Sequence, residues 1–196
     1  MNVNLGTWDV VKVQTLESTF QGASQFTGKG LDSWITSAAT SLSNTFYEAS
    51  SMNADLGKWD VAKVKTLERT FRVASTFTGK GLDSWITTAV TTMHYAFYKA
   101  SSMNVELGKW NVAKTTSLES TFDGAAKFTG NGIESWNTTA VNSLAATFRG
   151  ASSMNADLGK WDVANVKTLL NTFVGATKFT GKGLDSWITT AVTTMH

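Results

Sequence analysis

The 196-residue chain has no cysteine and no proline. Without cysteine there are no disulfides and no thiolate metal sites, and the redox compartment is left open. Without proline, every turn has to be made by Gly, Asn, Asp, Ser or Thr. Charge is scarce too: 16% of residues are charged and the formal net charge is +2 at pH 7. That is too small an excess to imply a nucleic-acid or other polyanionic partner. No apolar run approaches the length of a membrane span, and residues 1–30 lack a basic start followed by an apolar block. Neither membrane insertion nor a signal peptide is therefore expected within this segment. Hydrophobic residues still make up 42%, which marks an ordered chain rather than a disordered one.

What the chain does have is a period. Tryptophans stand at Trp8, Trp34, Trp59, Trp85, Trp110, Trp136, Trp161 and Trp187, with gaps alternating between 26 and 25 residues. Periods of this size signal stacked structural units that rest on one another. Residues 1–196 are expected to form one repeat solenoid of about eight coils centred on these tryptophans, and a segment of a longer array, since MNVNL at the start matches the internal MNVEL at 103–107.

An aliphatic residue precedes each Trp by three positions and Val or Thr follows by two, as in Leu56, Trp59 and Val61. The alternation predicts a short strand with Trp and Val on one face. Further along comes a hydroxyl column, Thr15, Ser41, Thr66, Thr92, Ser117, Ser143, Thr168 and Thr194, each followed by Leu or Met. Such residues cap helices, and Leu16, Phe20 and Ala23 share one helical face, so a two-turn helix is expected from this column onward. Glycines in F-T-G-x-G and M-N-x-x-L-G loops return the chain.

Within this period, near-identical copies diverge in one place. Residues 52–94 and 154–196 differ only at positions 63, 68, 69, 72, 73, 75 and 76 of the first copy. Six of these seven lie in one ten-residue stretch, which therefore tolerates change while the remainder is held.

The pattern L-x-x-W-x-V-x-x-V-x-x-L-x-x-x-F-x-x-A-x-x-F/M-T/N, most complete at Leu56, Trp59, Val61, Val64, Leu67, Phe71, Ala74 and Phe77, resembles the BspA-like branch of leucine-rich repeats. That branch comprises surface-protein repeats of roughly 25 residues, found in mycoplasma lipoproteins and in protist or algal proteins. The resemblance implies an α/β fold: a right-handed leucine-rich-repeat-like solenoid with one short parallel strand and one short helix per coil. It also implies an extracellular or cell-surface location and a role in adhesion or recognition. This chain departs from the family where Thr70 and Thr121 replace Met before Phe, and where Thr36, Thr87, Thr138 and Thr189 replace Val.

No residue pattern points to a reaction, so no catalytic, cofactor or metal site is expected. His94 and His196 share a column with no further His or Cys. Gly79-Lys80-Gly81 lacks the spacing of a phosphate loop. Tyr47, Tyr95 and Tyr98 fall on the expected helices as half-exposed packing residues. The candidate binding face is the pair of positions flanking each Trp: Lys58, Asp60, Lys109, Asn111, Lys160 and Asp162 in odd coils, with Ile86 and Ile188 in even ones. In an alternative arrangement the isoleucines turn inward and Thr36, Thr87 and Thr189 face out. The expected function is a non-enzymatic scaffold for protein or glycan binding or adhesion. The alternative is a structural protein stacking end to end into a fibre or matrix layer.

Overall fold

The computed structural model describes residues 2–195; Met1 and His196, and the expectations attached to them, lie outside it. Successive coils stack with their backbones hydrogen-bonded in parallel. Leu67, Arg69, Phe71 and Val73 of the third coil donate their amides to the carbonyls of Thr92, His94, Ala96 and Tyr98 in the fourth, over 2.7–3.0 Å. The hydroxyl column forms isolated parallel bridges such as Thr15 with Ser41 and Ser143 with Thr168.

Neither the strand nor the helix expected in each coil forms. Among the described residues the helical elements are four single 3-10 turns, Leu31–Ser33, Leu82–Ser84, Ile133–Ser135 and Leu184–Ser186. β pairing is confined to those isolated bridges. The expectation of a leucine-rich-repeat-like α/β solenoid is therefore corrected: each coil is a chain of tight turns.

The reason lies in where the amides go. In the stretch after the hydroxyl column, alternate N–H groups serve different partners. Leu67, Arg69, Phe71 and Val73 bond across to the next coil, whereas Thr70, Arg72 and Ala74 close local turns onto Leu67, Arg69 and Phe71 three residues back. A helix needs every amide for its i→i−4 ladder, so cross-coil bonding and helix exclude each other. The hydroxyls do what a helix cap does, since Thr66 Oγ1 accepts from the Glu68 amide at 3.2 Å and Ser117 Oγ from Glu119 at 3.2 Å. The third residue after the hydroxyl then takes a left-handed backbone, at Arg69 (φ 53°), Tyr95 (φ 56°), Ser120 (φ 51°) and Ala146 (φ 52°). That conformation ends any helix and costs about 1–2 kcal/mol for a residue with a Cβ.

The core is inside the coils. Phenylalanines make one unbroken ladder, Phe20–Phe46–Phe71–Phe97–Phe122–Phe148–Phe173, with ring centroids 5.4–5.8 Å apart. Each Phe also meets the Trp of the following coil, as Phe71 meets Trp85 at 6.1 Å and Phe97 meets Trp110 at 5.9 Å. Tryptophan rings stack on one another only at some steps, among them Trp34 on Trp59 and Trp85 on Trp110, both at 5.9 Å. The Phe column is thus the continuous one.

Every indole from Trp34 onward donates its Nε1–H to the carbonyl of the aliphatic residue one coil earlier, for example Trp59 to Leu31 at 2.9 Å and Trp110 to Leu82 at 2.8 Å. Buried threonines repeat the device: Thr70 Oγ1 donates to Leu42 O and Thr121 Oγ1 to Met93 O. A threonine where the resembled family has methionine is therefore a polar tie between coils. Gly81 shows how close the coils come, since a Cβ there would sit 2.2 Å from the Gly57 amide nitrogen and φ is +88°.

Two substitutions separate this backbone from a helical one. Ala146→Gly should leave stability unchanged or raise it by up to about 1 kcal/mol, because glycine takes a left-handed conformation freely; in a helix the same change costs about 1 kcal/mol. Phe97→Ala, which removes a fully buried rung, should cost about 3–5 kcal/mol. Urea denaturation of both variants measures these effects, and a destabilising Ala146→Gly would contradict the turn backbone.

Candidate interaction face

On the sequence-derived face the Asp and Asn side chains are occupied in holding turns. Asp60, Asn111 and Asp162 each accept the amide two residues on, at Ala62, Ala113 and Ala164 over 2.9–3.0 Å. Their main-chain carbonyls take hydroxyl protons from Thr36, Thr87 and Thr138 of the preceding coil. These threonines are therefore buried, and Ile35, Ile86 and Ile188 point to solvent at 57%, 52% and 64% exposure. The arrangement with isoleucine inward does not occur. Lys58, Lys109 and Lys160 are exposed. Lys58 borders a shallow cleft with Lys80 and Asp55, themselves paired at 3.5 Å. Nothing draws the eight residues together into one site.

A second face is built by the tight turns that replace the expected helix. Between its two left-handed residues, each coil from the first to the seventh places one side chain on the outer side of the stack, and these align into a column: Gln21, Tyr47, Arg72, Tyr98, Asp123, Arg149 and Val174, of which Asp123 is covered by its neighbours. The column is held in register by backbone bonds that run through it, such as Glu48 N to Arg72 O at 2.8 Å and Val73 N to Tyr98 O at 2.7 Å. Parallel chains lie about 4.8 Å apart, so neighbouring side chains must touch.

Their contacts follow. The Arg72 guanidinium sits over the Tyr47 ring at 4.5 Å on one side and the Tyr98 ring at 5.0 Å on the other. Arg69 lies 5.7 Å over Tyr95, and Tyr95 meets Tyr98 edge-on at 5.7 Å. Lys99 Nζ is 5.2 Å from the Tyr98 ring. Cation–aromatic contacts of this kind are worth about 0.5–1 kcal/mol where water reaches them. Two coils further, Arg149 turns both Nε and Nη2 onto Asp123 Oδ2. Asp123 is 5% exposed. Its hydrogen bond holds the Arg149 charge above the ordinary arginine range, against partial burial, which works the other way.

A pocket of about 400 Å³ opens beside this column, lined by Gln21, Asn44, Tyr47, Arg69 and Arg72. Arg69 and Arg72 both belong to the stretch where near-identical copies differ. Glu68, Arg69, Arg72 and Val73 become Leu170, Asn171, Val174 and Gly175 in the later copy. Sequence reasoning marked that stretch as tolerant of change and read the tyrosines as packing. It missed that the changes and the tyrosines share one surface, because a helix would have spread them around its circumference.

No helix of the described residues is long and apolar enough to cross a membrane. The chain matches the family described as "Mycoplasma protein of unknown function, DUF285" over residues 1–108 and again over residues 91–196. The chain belongs to this family. No curated protein and no solved structure matches it.

The Asp123–Arg149 pair yields a direct test. Arg149→Gln strands a buried carboxylate without its charged donor and should cost about 1–3 kcal/mol, toward the lower end because the guanidinium is partly solvated. Adding Asp123→Asn should recover part of that loss. Urea melts of the two single variants and the double variant measure the coupling; strict additivity would show that the pair contributes nothing.

Proposed function

We propose that this chain is a non-enzymatic repeat scaffold that binds a protein or glycan at a cell surface, and that the outer turn columns carry the recognition. The observation behind this reading is the confinement of divergence. Two copies that share nearly every other residue differ at Glu68, Arg69, Arg72 and Val73, on a face whose side chains the core does not need. A repeat protein that holds its framework constant and varies one face has the design of a binding surface. The Tyr, Arg, Asn, Ser and Gly residues on it are types enriched in antibody-like recognition surfaces. The cell-surface location rests on the resemblance to BspA-like repeats.

A second reading is that copies of the chain join end to end into a fibre. Sedimentation velocity at rising concentration separates the two readings, since a stable monomer counts against the fibre and growing polymer counts against the simple scaffold.

The scaffold reading is tested by giving the third coil the face of the seventh: Glu68→Leu, Arg69→Asn, Arg72→Val and Val73→Gly together. The parent chain and this variant are applied to protein and glycan arrays. The expected result is a reproducible ligand for the parent, lost in the variant, with the melting temperature within a few degrees. A ligand bound equally by both, or no ligand on either array, would contradict the proposal.

A further inference from the structure

We infer that the pocket beside Arg72 receives a carboxylate from an acidic segment of a protein partner, with the Arg72 guanidinium as its fork. This deepens the scaffold reading and rests on it. The first support is an imbalance within one column. Arg149 has its guanidinium satisfied by the Asp123 carboxylate of the preceding coil. Arg72 stands in the same column, but the flanking coils offer it Tyr47 and Tyr98 instead of acids. Among the described residues it forms no ion pair, the pairs being those of Arg69, Lys80, Arg149 and Lys182.

The guanidinium carbon lies over both rings, so the two tyrosines position the group from the neighbouring coils. The N–H groups of a guanidinium match a carboxylate in geometry and charge. The rest of the pocket agrees. Arg69 supplies a second cation, and Gln21 and Asn44 supply neutral amides that can donate. Glu68 pairs with Arg69 at 3.1 Å, and both partners of that pair are more than a third exposed. Such a pair is weak and yields to a better-placed acid.

A protein source is favoured over an acidic sugar by what surrounds the fork. Tyr95, Tyr98 and Val73 are half-buried beside it, giving the aromatic and aliphatic contact that flanks arginine anchors at protein interfaces. The fold does not require the arrangement, because the matching place seven coils into the chain carries Val174 and Asn171.

The test uses the whole chain with 15N-labelled arginine, titrated with acetyl-octaglutamate amide and, separately, with the octaglutamine analogue. The Arg72 Nε–Hε signal should shift with octaglutamate, which should bind at least tenfold more tightly than octaglutamine. Arg72→Val, the residue the later copy tolerates, should remove that preference. Arg72→Lys should weaken it about tenfold, because a point charge lacks the fork, and Arg149→Gln should leave it intact. The inference is overturned if octaglutamate leaves the Arg72 signal unmoved, or binds Arg72→Val as well as the parent. It is also overturned if a hyaluronan oligosaccharide binds more tightly than the peptide through the same arginine. Any of these results can occur while the array experiment still finds a ligand for the outer face, so the two proposals fail separately.

Discussion

Everything in this structure depends on how the backbone amides are shared between a coil and its neighbour. A coil of 25 or 26 residues is too short to enclose a core of its own. It closes by giving alternate amides to the next coil and keeping the others for turns three residues long. Side chains follow the same rule. Each buried indole donates to a carbonyl one coil away, the buried threonines do the same, and the phenylalanine rings contact the ring above and the ring below. Cohesion lies between coils rather than within them, as is usual when repeats are stacked.

This sharing explains why the backbone tolerates unusual conformations. Among the described residues, ten other than glycine have positive φ, one of them Val73 at 61°, a β-branched residue for which the conformation is costly. A cross-coil amide bond at nine of these sites, Asn171 being the other, offsets the strain. Val73 N reaches Tyr98 O at 2.7 Å and Arg69 N reaches His94 O at 2.9 Å. The same twist sets the outer side chain upright, so the device that defeats the helix also aligns Tyr47, Arg72 and Tyr98 into a column.

Much of the interior was legible in the sequence, and the conformation was not. The tryptophan spacing identified the period, and the Leu, Trp, Phe and Ala columns are the buried ones. The hydroxyl column also pointed to the right hydrogen bond, but that bond opens a tight turn as readily as a helix. Glycine would have signalled the left-handed residue that follows, yet Ser18, Asn44, Arg69, Tyr95 and Ala146 stand there. Single-chain propensity cannot see a cost that the next coil repays. At the candidate face the sequence did not show that Asp60 and Asp162 each accept the amide of their own turn.

The most direct test of the shared backbone is measurement of through-hydrogen-bond couplings by NMR on the labelled chain across residues 67–74. The account predicts couplings from the nitrogens of Leu67, Arg69, Phe71 and Val73 to the carbonyl carbons of Thr92, His94, Ala96 and Tyr98, residues 25 positions away. A continuous series of couplings to carbonyls four residues back would restore the helix and contradict the account.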